Sequence, residues 1–320
     1  MAFNRKKSPG FTLVELMVVL VILGIVSIGA ITAITSQNKV YHSEEDLIDM
    51  QMNARVSMDR ICFLLRMAGV GCSDSFGNKL DKGNLATIGD VAANPTTSMF
   101  AIVNNAPGTP DQLTLVEAVR HAGSVTSVTS SEIILDTTDH KLKGATTPLP
   151  KSYIFISPND NNSFRTISGG DDTSKILTPL IALETPETTE INSAITLGMQ
   201  IDVYQVQAFT IRLVDTNGIR SLRIDDNIAT TSTQLNVADN IQDLQFQYWL
   251  DTGSDWENDT TDIHRIKAIR VFILARTGKI DKEYTDRKKY TLAGVEVGPF
   301  NDHSHRLLLE STITVRNRNF

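Results

Sequence analysis

Residues 11–34 read FTLVELMVVLVILGIVSIGAITAI, an almost unbroken apolar run of about 24 residues. A helix needs roughly 20 residues to cross the hydrocarbon core of a bilayer. The run therefore dictates a membrane-length helix before anything else is considered. Arg5, Lys6 and Lys7 stand just ahead of it. Basic flanks stay on the cytoplasmic side, which puts the N-terminus inside and the rest of the chain outside. A cleavable secretory signal is the competing reading, with Ala30 and Ala33 as small residues near a cut. Two features oppose it: the run exceeds the roughly 7–15 apolar residues of such signals, and helical patterning continues past Gln37.

One charge interrupts the run. A carboxylate this deep in an apolar segment is costly, roughly 2.5–3.5 kcal/mol on the scale for charged residues at mid-helix, so Glu15 is a candidate functional residue. A glutamate near the membrane edge that reaches water is the alternative, but here the residue sits in a longer pattern. Ser8-Pro9-Gly10-Phe11-Thr12-Leu13-Val14-Glu15-Leu16 resembles the processing site of type IV prepilins and type II secretion pseudopilins. The resemblance implies that a membrane aspartic prepilin peptidase removes leader residues 1–10 by cutting between Gly10 and Phe11. It also implies that the new amine of Phe11 is methylated. A positive amine at Phe11 and a negative carboxylate at Glu15 attract strongly in a low-dielectric medium, where unpaired charge is penalised. The pairing can form within one helix or between neighbouring chains. The resemblance implies the second, with Glu15 setting the axial stagger during assembly.

Helical periodicity continues beyond the membrane. Leu47, Met50, Ala54, Met58, Ile61, Leu65 and Ala68 recur every three or four residues and form one apolar stripe. Gly69-Val70-Gly71 supplies a stop. The expected organisation is a leader (1–10), a transmembrane half-helix (11–34), an amphipathic half-helix (35–70) and a head (71–320). A coiled coil is the alternative for the outer half, though the stripe spans few heptads.

After Gly71 the pattern turns to short strands: Leu113-Thr114-Leu115-Val116, Glu132-Ile133-Ile134-Leu135 and Tyr153-Ile154-Phe155-Ile156. Asn217-Gly218 predicts a tight hairpin between residues 209–213 and 222–224. Residues 266–275 read as a buried strand, and Leu307, Leu309, Ile313 and Val315 as a final alternating one. The stretches 93–97 and 144–150 read as loops, and 186–192 as a loop or the start of a short helix. The fold class is α+β: a long N-terminal transmembrane spine helix followed by a β-rich, pilin-like globular head.

Asp49-Met50-Gln51-Met52-Asn53-Ala54-Arg55 and Arg66-Met67-Ala68-Gly69 narrow the resemblance to the large PilW-type minor pilins. Ile269-Arg270-Val271-Phe272-Ile273-Leu274-Ala275-Arg276-Thr277 and the closing Thr312-Ile313-Thr314-Val315-Arg316-Asn317 do the same. More distantly the head resembles J-type pseudopilins of type II secretion. Residues 73–235 resemble nothing specific. The family resemblance implies other minor and major pilins, the prepilin peptidase and an inner-membrane assembly platform as partners. It implies location in the inner membrane, with a periplasmic head, and then in a pilus fibre or its tip. A minor-pilin role in initiation or tip assembly for surface adhesion or motility leads. The J-type pseudopilin is the runner-up.

Other chemistry finds little support. The net charge of −7 lacks the basic surface a phosphate backbone requires, so no nucleic-acid partner is expected. No G-x-S-x-G, H-E-x-x-H or P-loop is present, which argues against a membrane-anchored enzyme, and nothing calls for a cofactor. Asp251, Asp255, Asp259 and Asp262 around Gly253 could cradle calcium. The spacing is not an EF-hand, and a charged loop between two strands is the simpler reading. His303 and His305 lack visible third and fourth ligands. Cys62 and Cys72 face an oxidising compartment in this topology. Three residues could retrace the helix between them only if nearly extended, so a disulfide and two buried thiols both stay open.

Overall fold

The computed structural model describes residues 12–68, 100–138, 152–157, 163–169, 175–179, 182–183, 185–226, 233–251, 253–260, 262 and 265–315. The chain forms two compact units, Met1–Asp49 and Met50–Phe320. Helix α1 (Leu13–Met67) contributes to both. Its part in the first unit has the apolar side chains of the membrane-length run bare. Its part in the second buries Met50, Ala54, Ser57, Met58, Ile61, Cys62, Leu64 and Leu65. These include most of the stripe read from the sequence. Leu47 is half-buried and Ala68 fully buried. The helix ends on the Ala68 N–H to Leu64 C=O bond of 2.9 Å.

Among the described residues the second unit holds a large antiparallel sheet. Its strands are β1 (Phe100–Val103), β2 (Gln112–Val128), β3 (Ile133–Leu135), β4 (Ser152–Ser157), β5 (Ser163–Gly169) and β6 (Ile176–Pro179). After helix α2 (Thr185–Thr196) come β7 (Asp202–Thr216), β8 (Ile219–Asp226) and β9 (Thr233–Asp239). The order is β1-β2-β3-β6-β5-β4-β7-β8-β9, and β2 also pairs with β7. Pairing therefore closes a ring through β2, β3, β6, β5, β4 and β7, which leaves fewer edges open to other chains. The ring is filled by Val125, Val128, Ile133, Leu135, Leu177 and Val203, with Ile191 and Ala194 of α2 packed against them. Asn192 pins α2 like an extra strand residue: its amide donates to Val128 C=O (2.8 Å) and accepts from Val128 N–H (3.1 Å).

The predicted hairpin is β7–β8, with Thr216 opposite Ile219. Asn217 (φ 56°) and Gly218 (φ 81°) are both left-handed, the turn that matches strand twist. Residues 186–192, left between loop and helix, lie in α2. Strand β2 extends well past Val116, because β7 supplies partners as far as Ser124. The expected loops at 93–97 and 144–150 fall outside the described residues.

A three-stranded sheet follows, ordered β10 (Ile241–Leu250), β11 (Ile266–Arg276) and β14 (Arg306–Thr314). Phe246 lies opposite Val271, and Val271 opposite Ser311. Cys62 Sγ is 3.6 Å from Ser311 Oγ, so the buried stripe of α1 covers this face. The opposite face carries Phe272 and Leu274. They pack on Tyr290, Leu292 and Ala293 of the small hairpin β12 (Tyr290–Leu292) and β13 (Val295–Val297).

Two polar clusters lock the sheets. Asp111 accepts from Asn105 N–H (2.7 Å) and Phe246 N–H (2.9 Å), and its own N–H donates to Leu244 C=O (2.8 Å). It thus ties the start of β2 to β10. Burial pushes the Asp111 carboxyl up to about 7, with the nearby charge of Asp243 adding to the rise. At the start of β14, Arg306 donates to both carboxylate oxygens of Asp302 (2.7 and 2.6 Å) and to Asp286 (2.9 Å). It also donates to Gln242 Oε1 (2.6 Å) and lies 3.9 Å over the Phe300 ring.

Candidate functional site

The start of α1 is built by two residues. The Thr12 backbone N–H and hydroxyl both donate to Glu15 Oε2 at 3.0 Å, and the Glu15 N–H donates to Thr12 Oγ1 at 3.3 Å. This is a capping box: the residue before the helix and the third residue within it satisfy each other's orphan backbone groups. The pattern Thr12-x-x-Glu15 is legible in the sequence. Reading Glu15 only as a stray membrane charge passes over its capping role. The carboxylate is thus held at the first turn and exposed. Gly10 and Phe11, the predicted cleavage and methylation positions, lie outside the described residues.

From Leu13 onward the helix is apolar on every side. Leu13 is 76% exposed and Ile34 57%. An 18-residue window reaches a mean hydropathy of 2.8 with none of it buried. A helix that is apolar all round needs lipid or other helices to cover it. Its few hydroxyls are satisfied internally. Ser27 donates to Leu23 C=O (2.7 Å), Thr32 to Ile28 C=O (2.8 Å) and Thr35 to Ile31 C=O (3.0 Å). No unsatisfied hydroxyl donor is therefore presented to hydrocarbon at these positions.

The remaining candidate residues do not converge on a chemical site. Asp251 pairs with Arg265 at 2.9 Å, Asp255 accepts from the Trp256 N–H at 2.8 Å, and Asp259 is exposed. Among the described residues no three His, Cys, Asp or Glu side chains come together to hold a metal ion. His303 Nδ1 lies 2.6 Å from Tyr284 C=O. His305 meets Asp281 at 3.1 Å and stacks on Tyr284 at 3.7 Å. Hydrogen bonds from His305 and from the Glu283 N–H hold the Asp281 carboxyl below its usual value. Cys62 is a buried free cysteine, and Cys72 lies outside the described residues.

The described residues thus comprise an exposed membrane-length helix with a capped acidic start and a β-rich head, the architecture expected from the sequence. Residues 5–31 match the prokaryotic N-terminal methylation motif, which contains Glu15. More particularly, residues 208–317 match the family described as type IV pilus-assembly protein W. That segment takes in β8, the whole three-stranded sheet and the Arg306 cluster. A type IV-like pilin from Thermus thermophilus is a structural neighbour at 13% identity, covering 53% of this chain and 86% of that one, with a TM-score of 0.25. No curated protein matches the chain. Residues 5–31 and 208–317 are thus similar to type IV pilus proteins, and a helix of this kind fits membrane anchoring and a structural role.

Proposed function

We propose that the chain is a minor pilin of a type IV pilus. It is inserted in the inner membrane with its N-terminus cytoplasmic and its head periplasmic. The leader 1–10 is removed between Gly10 and Phe11 by the prepilin peptidase, and Phe11 is N-methylated. The half-helix 11–34 anchors the subunit, 35–70 carries the head, and 71–320 forms that head. With other minor and major pilins, and at the inner-membrane assembly platform, it takes part in starting the fibre and sits at its tip, in support of surface adhesion or motility. It is not an enzyme. A head of roughly 250 residues suits this placement, since repeated along a tightly packed shaft it would crowd its neighbours.

The observation that carries the reading is the pairing, in one chain, of the methylation motif at residues 5–31 with the W-family segment at 208–317. Glu15 supplies the assembly charge. Its intrachain partners, the Thr12 N–H and hydroxyl, are neutral donors, so the cationic amine of a neighbour's Phe11 is a stronger partner in hydrocarbon.

The test uses cells lacking this chain, complemented with the intact chain or with Glu15→Ala, counting surface pili and assaying secreted proteins together. Pili restored by the intact chain and not by Glu15→Ala, with secretion unchanged throughout, is the expected result. Loss of secretion with normal pili would instead identify a J-type pseudopilin.

A further inference from the structure

The outer face of the three-stranded sheet holds an open pocket of about 580 Å³, within the range of roughly 300–1,000 Å³ usual for small-ligand sites. Its floor is made of strands. Gln247 of β10 stands opposite Arg270 of β11, and Phe272 of β11 opposite Glu310 of β14. One wall is the loop carrying Asp255, Trp256 and Asn258. Two backbone bonds between Tyr248 and Glu257, of 2.8 and 2.9 Å, fix that loop to β10. The other wall is the β12–β13 turn, tightened by left-handed Ala293 and Gly294. A site on strands with pinned walls holds its geometry before a ligand arrives.

The polar groups select the ligand. The Arg270 guanidinium lies 4.0 Å over the Trp256 ring, and its Nε is 3.3 Å from Glu310. Among the described lining residues the one cation is thus already paired, and Asp255 leaves the site slightly negative, which disfavours anions. Gln247, only 7% exposed, donates through its amide to Asn258 Oδ1 at 2.8 Å. By amide chemistry this leaves the Gln247 carbonyl as an acceptor and the Asn258 NH₂ as a donor, both on residues that line the pocket. Sugar hydroxyls both donate and accept, and adjacent ones match such an alternating pair. Trp256, braced edge-to-face by Trp249 at 5.4 Å, offers apolar surface for the C–H side of a sugar ring.

We propose that this pocket binds a neutral carbohydrate. The site lies in the head and does not depend on how, or whether, the chain enters a fibre. The full-length protein, in a detergent without a sugar headgroup, is applied to an array of neutral di- to tetrasaccharides built from hexoses and N-acetylhexosamines, with acidic glycans alongside. The best neutral ligand is then titrated while tryptophan emission is followed, both tryptophans being at or beside the pocket. Binding to a neutral glycan is expected, with an accompanying emission change. Gln247→Ala or the exposed-loop change Asn258→Ala should each weaken it by about tenfold, the loss of one or two hydrogen bonds. Asp215→Ala, in the β7–β8 hairpin, should leave it unchanged. The proposal is overturned by an array with no neutral binder, by retention of acidic glycans alone, or by binding that survives both amide substitutions in variants with wild-type circular dichroism.

Discussion

Replacing Arg306 by methionine isolates the cost of the buried charge beneath the C-terminal loops. The Arg306 side chain is 2% exposed and that of Asp286 is fully buried. Methionine keeps much of the apolar stem and removes the cation. Asp286 then keeps the Tyr290 hydroxyl, at 3.2 and 3.1 Å, and the Lys288 N–H, at 3.1 Å, as neutral donors. It loses its only counter-charge among the described contacts. Asp302, 44% exposed, rehydrates and adds little. Breaking a buried pair from one side costs about 3–5 kcal/mol. With a urea dependence of about 3 kcal/mol per molar, the unfolding midpoint should fall by about 1–2 M. Trp249 and Trp256 are the two tryptophans of the chain, and both lie in or beside this sheet, so their emission in the detergent-solubilised protein reports the transition. Adding Asp286→Asn removes the stranded charge and should recover a substantial part of the loss. A midpoint shift under about 0.3 M for Arg306→Met, or double-mutant losses that simply add, would refute the reasoning.

Three further outcomes follow from the same geometry. The Asp111 carboxyl titrates near 7 when folded and near 3.9 when unfolded. The folded state therefore binds the proton more tightly, and stability present at pH 4 is lost as pH rises through 7. The loss is at most about 4 kcal/mol, each tenfold in proton affinity being worth about 1.4 kcal/mol. Asp111→Asn should flatten that slope in urea titrations between pH 5 and 8, and an unchanged slope would remove Asp111 from the account. Asn192→Ala should destabilise the head by about 1–3 kcal/mol, because it strands the N–H and C=O of Val128, measurable as a lowered midpoint. Cys62, a buried free thiol, should resist alkylation in the native protein and react once urea is added without reductant; failure to react in urea would point to a disulfide.

The elements legible in the sequence were those whose signal is local. The membrane run, the stripe from Met50 to Ala68 and the Asn217-Gly218 turn each follow from spacing or backbone chemistry within a few residues. Strands β11 and β14 were readable because dense aliphatic or alternating patterns mark a buried sheet. What escaped depends on partners far along the chain. Strand β2 continues through polar and small residues because β7 pairs with it. The segment 185–196 is weakly amphipathic, and its helix is held by Asn192 meeting Val128, 64 residues away. The Arg306–Asp286 pair spans 20 residues and shows no motif. In the candidate site, Glu15 stood out as a charge in hydrocarbon, whereas its capping bond to Thr12 was equally readable and needed only the T-x-x-E pattern.

In the proposed function the mature chain becomes part of a pilus. The most direct test is mass spectrometry of sheared, purified pili, quantifying this chain against the major pilin and reading its N-terminal peptide. A low-copy subunit whose chain begins at N-methylated Phe11 is expected. A chain absent from the fibres, with residues 1–10 still attached in the membrane fraction, would contradict it.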